Sequence, residues 1–130
     1  GVDIAEGMVR AAAGRRLPNL AAVQADAHHL PFEDGAFGAI LCTNGLQVIP
    51  GLRPAVRELA RVLAPGGTLF VSVVGLPLGA FLPRPTADRL PTMLARRTRV
   101  ADELERAGLR VSETGRQRLA TLYEARSPAA

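Results

Sequence analysis

Glu58-Leu59-Ala60-Arg61-Val62-Leu63-Ala64-Pro65-Gly66-Gly67-Thr68-Leu69-Phe70-Val71-Ser72-Val73-Val74 holds the end of a helix, a forced stop and a buried strand in one run. Upstream, Pro54 suits a first helical turn, and Ala55, Val56, Leu59, Ala60, Val62 and Leu63 recur at helical spacing. Arg53, Arg57, Glu58 and Arg61 remain on the other side. Pro65-Gly66-Gly67 ends that helix. Thr68 to Val74 is β-branched and almost continuously apolar, the pattern of a strand inside a parallel sheet.

Working outward, Phe37 to Cys42 is a second apolar run of strand length, expected to be covered on both faces. Leu20 to Gln24 is a third. Ala5 to Gly14 reads as a helix with Ile4, Met8, Ala11 and Ala12 on one face. Strands and helices thus alternate, as in βαβ units of a parallel sheet. Beyond Val74, the prolines between Gly75 and Pro91 predict a loop or substrate lid. A helix follows in which Val100, Leu104 and Ala107 line one face and Gly108 caps the end. Leu109 to Thr114 and Arg118 to Ala125 read as an antiparallel hairpin at the sheet edge, bent at Gly115. The fold class is α/β: a partial, Rossmann-like, doubly wound and mostly parallel sheet with a C-terminal antiparallel hairpin.

With 130 residues, the chain has room for one domain. Its 48% apolar and 22% charged content is that of a folded globular protein. All 16 basic residues are arginine. The lack of lysine excludes a P-loop lysine, a pyridoxal-phosphate Schiff base and the Tyr-x-x-x-Lys pair of short-chain dehydrogenases. The single cysteine, Cys42, excludes an intrachain disulfide and a multi-cysteine zinc cage, and makes a cytoplasmic setting the default. The uncharged run from Val62 to Pro83 is broken by prolines and glycines, so a turn, a strand and a loop are expected there rather than a membrane span. The net charge of +4 comes from the arginines beyond residue 80. Arg84 to Arg118 contains no aromatic residue, which favours a solvated face over a nucleic-acid surface.

Several segments, in order, resemble class I S-adenosylmethionine-dependent methyltransferases, in the branch with ubiquinone and menaquinone C-methyltransferases. Gly1-Val2-Asp3-Ile4-Ala5-Glu6-Gly7-Met8 resembles the end of the family's second strand and the next helix. Gln24 to Phe32 resembles its "DA..LPF" segment, Phe37 to Leu46 its fourth strand and active-site loop, and Glu58 to Gly67 its "E..RVL.PGG" segment. The resemblance implies S-adenosyl-L-methionine as cofactor, contacted by Asp3, Ile4, Asp26, Ala27 and Thr43, and a small-molecule methyl acceptor near Asn44 and Gln47. The family's first strand and glycine-rich loop have no counterpart. In nucleotide-binding βαβ units the ribose-binding acid follows that loop by about 20 residues, which puts the loop ahead of Gly1. The chain is therefore expected to be a partial domain, and marginal or aggregation-prone by itself, because the absent strand is central in the family's sheet. Gly38 and Gly51 depart from aspartates common in the family.

Each candidate has a plainer reading. Asp3 serves equally as the N-cap of the helix after it, and Asp26 as a turn residue bonding its own backbone. His28 and His29 are adjacent on a loop without a third ligand, so no metal site is expected. Cys42 reads as core. Asn44 and Gln47 either bind the acceptor or satisfy loop backbone. No catalytic residue is identifiable, since methyl transfer depends chiefly on alignment; a base, if required, would be His28, His29 or a residue upstream of Gly1. The competing function is a non-catalytic, methyltransferase-like interaction module that binds no cofactor. Neither nucleic-acid nor membrane partners are expected, and the oligomeric state is open.

Overall fold

The computed structural model describes residues 1–74, 98–117 and 120–129. The expected loop or lid over 75–91 lies outside them. The elements are β1 (Val2–Asp3), α1 (Glu6–Ala13), β2 (Val23–Gln24), β3 (Phe37–Thr43), α2 (Leu52–Val62), β4 (Leu63–Val74), α3 (Thr98–Arg106), β5 (Arg110–Gln117) and β6 (Ala120–Arg126). They form two sheets. β1 pairs with β2 in parallel, and a four-stranded sheet has the order β3-β4-β6-β5. β3 and β4 run parallel, while β6 lies antiparallel to both β4 and β5. This is the expected α/β architecture, parallel in the βαβ part and antiparallel at the C-terminal hairpin.

The core fills one face of the larger sheet. Leu69, Val71 and Val73 of β4 and Tyr123 and Ala125 of β6 pack with Val56 of α2 and Val100 and Leu104 of α3. The alternation along β4 follows from the period of two: Leu69, Val71 and Val73 are buried while Phe70 and Val74 are exposed. Glu103 of α3 is buried between the helices, where it accepts hydrogen bonds from Arg53 of α2 and Arg106. Those arginines, Arg53 first, hold the Glu103 carboxyl below its ordinary pKa.

Four expectations need correction. β3 is not covered on both faces: Leu41 is 73% exposed, and its cross-strand neighbour Phe70 is exposed with it. The apolar stripe of α1 packs into no core among the described residues; Ile4 and Met8 are exposed and the helix has no buried residue. The third strand shrinks to Val23–Gln24 because its partner, β1, offers only Val2 and Asp3 for pairing. Gly115 does not bend the hairpin. It lies inside β5 at a register shift between Glu113 and Gly115, the bulge that a strand glycine often marks, and a Cβ there would crowd Leu122.

The expected helix stop at Pro65-Gly66-Gly67 also needs correction: α2 ends at Val62, Leu63 is already extended, and the three residues lie inside β4, where two features mark them. Gly66 adopts φ +73°, in the left-handed region. A Cβ on Gly67 would lie 2.8 Å from the Ala64 carbonyl oxygen and 3.0 Å from that of Gly38. The backbone thus folds back on itself where β3 and β4 shift register between Phe37 and Ala39. At Gly38 itself a side chain would meet open space, so nothing in the structure requires glycine there.

Candidate functional site at the carboxyl ends of the strands

β1 and β2 lie side by side, with Asp3 opposite Gln24, so their carboxyl ends coincide. The Gln24 side-chain amide reinforces this end by donating to the Ile4 carbonyl at 3.0 Å. Asp3 is half-buried, and its Oδ1 accepts from the Ala5 backbone N–H at 2.8 Å. That bond ties the carboxylate to the entry of α1, whose N-cap is Ala5 rather than Asp3. Among the described residues, Asp3 Oδ2 receives no hydrogen bond. Ile4 beside it is 68% exposed.

Asp26 repeats the arrangement two residues beyond β2. Its Oδ1 accepts from the His28 backbone N–H at 2.9 Å and contacts the His28 ring Nδ1 at 2.7 Å. The backbone N–H is the main reason its carboxyl titrates below the ordinary value, with the His28 ring adding to it. The turn-residue reading of Asp26 is therefore correct for one oxygen. Oδ2 again has no partner among the described residues. Ala27 sits half-buried in the same turn, which the His29 N–H closes onto the Asp26 carbonyl at 3.0 Å.

The other ring nitrogen of His28, Nε2, lies 2.7 Å from the Pro50 carbonyl oxygen. Pro50 belongs to the loop between β3 and α2, so this contact ties that loop to the turn after β2. Gly51, which follows, adopts φ +67° as the N-cap of α2, and a Cβ there would come within 3.6 Å of His28 Nε2. Glycine at this departure from the family is thus conformationally favoured, in a region that aspartate also tolerates.

At the end of β3, Thr43 is exposed opposite Ser72 of β4. Asn44 has φ +53°; its N–H donates to the Ser72 carbonyl at 3.0 Å, and its Oδ1 accepts from Ser72 Oγ at 3.2 Å. Asn44 thus bonds the neighbouring strand β4 rather than the loop backbone of its plainer reading. Gln47 is different. It is 7% exposed and its Oε1 has no hydrogen-bond partner among the described residues. Cys42 packs against the core, and burial pushes its thiol pKa up. No group of three or more metal-ligating side chains occurs among the described residues.

The segment after Asp26 is held from behind by α2. Glu58 Oε2 accepts from the Leu30 N–H at 2.9 Å. Arg61 donates to both Glu58 oxygens, to the Leu30 and Phe32 carbonyls and to Asp34 Oδ1. The Glu58-x-x-Arg61 pattern is therefore a clamp on Leu30-Pro31-Phe32, not part of the ligand surface. Arg61 holds the Glu58 carboxyl down at about 2. Reading side chains by motif missed this clamp and the His28 bridge, because both act on backbone carbonyls more than twenty residues away.

The family profile described as "Methyltransferase domain" matches residues 1–71, and so takes in β1 to β3, α2 and both carboxylates. The chain belongs to this methyltransferase domain family. Demethylmenaquinone methyltransferase of Mycolicibacterium gilvum is 41% identical over 75 residues, covering 58% of this chain and 32% of that protein. The Mycobacterium tuberculosis protein of the same name is 40% identical over 78 residues, covering 60% and 32%. The chain thus spans about a third of the length of the curated relatives it matches. Among solved structures, YcgJ of Bacillus subtilis superposes with a TM-score of 0.81 at 18% identity, over 100% of this chain and 82% of that one. A SAM-dependent methyltransferase of Thermotoga maritima, a possible histamine N-methyltransferase, gives 0.75 at 18%, over 98% and 72%. The [4+2]-cyclase SpnF gives 0.79 at 19%, over 100% and 66%. At these identities the structures establish the methyltransferase-type fold, and the cyclase among them illustrates that one fold carries more than one chemistry.

Proposed function

We propose that this methyltransferase domain binds S-adenosyl-L-methionine and transfers its methyl group to a small-molecule acceptor. The observation that carries the reading is the pair of carboxylates at the joined carboxyl ends of β1 and β2, each with one oxygen anchored and the other free. Ligands of open α/β sheets bind outside the carboxyl ends of the strands. In this reading the free oxygen of Asp3 accepts from the ribose hydroxyls, and exposed Ile4 lies against the adenine ring. The free oxygen of Asp26 and the backbone of Ala27 hold the adenine edge, and Thr43 closes the cofactor side next to β3. The cofactor, when bound, supplies an electrophilic sulfonium methyl; the chain's task is to align an acceptor with it. Gln47 is the acceptor-side candidate, since its buried, unpartnered carbonyl is ready to receive a hydroxyl or N–H, with Asn44 at the rim. The name of the mycobacterial relatives makes demethylmenaquinone the first acceptor to try. The unpaired Cys42 thiol agrees with a reducing, cytoplasmic setting.

The test is calorimetric binding of S-adenosylhomocysteine to the full-length protein, followed by transfer of labelled methyl. Asp3→Ala removes a charge-assisted acceptor worth about 1.5 to 3 kcal/mol, so affinity is expected to drop by roughly tenfold to over a hundredfold. Absence of any binding by the wild-type protein would overturn the reading in favour of a non-catalytic module.

A further inference from the structure

Both ring nitrogens of His28 face acceptors at 2.7 Å, the Asp26 carboxylate at Nδ1 and the Pro50 carbonyl at Nε2, with the Gly51 carbonyl further off at 3.3 Å. A neutral imidazole carries one N–H and one lone pair. Only the imidazolium donates both bonds; the neutral ring must turn a lone pair toward an oxygen, and one contact opens. The ring is largely covered, its side chain 22% exposed, so it has little freedom to rotate away. We propose that His28 is a positioning residue, an imidazolium strap that orients the Asp26 carboxylate and joins it to the loop ahead of α2, so that cofactor affinity falls when the ring loses its proton. The inference rests on the reading that Asp26 faces the cofactor.

The surroundings favour the charged ring. The Pro50 carbonyl, then the Asp26 carboxylate, push its pKa above the ordinary 6.5. Asp26 is the charged group that acts on the ring from its own loop. The facing Pro50–Gly51 segment contributes carbonyls and no side-chain charge. The first turn of α2 beyond it carries Arg53, whose guanidinium is taken up by Glu103. His29, exposed, acts on the Asp26 carboxylate instead. With the strap closed, Asp26 Oδ1 is occupied by two donors and Oδ2 is left for a ligand. With it open, the neutral ring keeps one of the two bonds: either the Asp26 carboxylate is left with the His28 backbone N–H alone, or the Pro50 contact is lost and the Asp26 turn is no longer tied to the loop ahead of α2.

The experiment measures S-adenosylhomocysteine affinity of the full-length protein by calorimetry from about pH 6 to about pH 9, with the His28 ring titration followed by NMR. In the wild-type protein the dissociation constant is expected to rise about five- to tenfold through the ring's own midpoint. His28→Gln should bind about five- to tenfold more weakly at about pH 6 and lack that rise. His29→Gln should retain it. The ligand's α-amino group, beside its own carboxylate, titrates above a peptide α-amino group and contributes alike to all variants, so the strap is read from the difference between wild type and His28→Gln. Wild-type affinity that stays level across the ring's midpoint, or a His28→Gln profile parallel to that of the wild type, would overturn the strap alone. No binding at any pH would overturn the cofactor reading and the strap with it. If His28→Gln does not fold, coincidence or non-coincidence of the wild-type affinity change with the NMR midpoint, after subtracting the ligand's titration, decides the matter.

Discussion

Replacing Arg61 with alanine is expected to destabilise the fold and lower the melting midpoint by several degrees. The guanidinium makes hydrogen bonds to two carboxylates and two carbonyls, and joins α2 to the Leu30–Asp34 segment. Its side chain is 31% exposed and that of Glu58 20%, so the pair is worth more than a surface ion pair and less than a fully buried one. Alanine also leaves the Glu58 carboxylate half-desolvated with only the Leu30 N–H as donor. Arg61→Lys keeps the charge but not the planar fork that reaches Leu30 and Phe32 together, and is expected to recover less than half of the loss. Urea unfolding of the full-length protein and both variants measures this; a loss within about 0.5 kcal/mol for Arg61→Ala would show that the clamp is dispensable.

The clamp also sets a pH signature. Glu58 titrates at about 2 in the fold against an ordinary 4.5. A depressed carboxyl stabilises the folded state fully above the ordinary value, and that contribution is lost as pH falls from 4.5 toward about 2. Glu58→Gln should therefore be less stable than wild type at neutral pH, and the gap should close as pH falls through this window. Melts at a series of acidic pH values would reveal a gap that stays open if the ion pair is not its source.

How much of this was readable beforehand depends on the range of the forces involved. α2 and β4 were legible because their patterns are local: apolar residues at helical spacing, then β-branched residues at strand spacing. The boundary between them was misplaced at Pro-Gly-Gly: the chain turns extended at Leu63, and Pro65-Gly66-Gly67 lies inside β4, where the Gly67 constraint comes partly from the Gly38 carbonyl on another strand. Gly115 was misread because a glycine between two β-prone runs signals a bulge as well as a turn. The stripe of α1 was read correctly as a pattern, yet what would cover it is not among the described residues. Asp3 and Asp26 were singled out through the segments that resemble the family; Asp3 is not the N-cap of its plainer reading, Asp26 does bond its own turn backbone, and one oxygen of each has no partner among the described residues. His28 was weighed only as a metal ligand or a base. Its real partners are a neighbouring carboxylate and a distant carbonyl, and the second carries no sequence signal at all.

Produced by itself, the 130-residue chain is expected to self-associate rather than melt as a monomer. The two edge strands of the larger sheet differ sharply. β5 carries Glu113 and Arg116, paired with each other, and a bulge, the features that keep an edge from pairing with other chains. β3 reads Phe-Gly-Ala-Ile-Leu-Cys-Thr from 37 to 43, with no charge and no proline, and among the described residues it pairs on one side only, with β4. Leu41 on this strand is exposed next to Phe70, and Leu122 extends the apolar surface across β6. Among the described residues β1 and β2 pair only with each other, through two residues each, and not with β3. Parallel or antiparallel addition of a second β3 would satisfy the free backbone groups and bury Leu41 together. Light scattering on the purified chain should find dimers or larger species whose share grows with concentration. Leu41→Lys, which puts a charge on the edge, should raise the soluble monomer several-fold, whereas Leu17→Lys, an exposed leucine between α1 and β2, should not. A monomer with a sharp two-state melt would show that the β3 edge is protected in solution, and would remove the reason to expect a further strand against it.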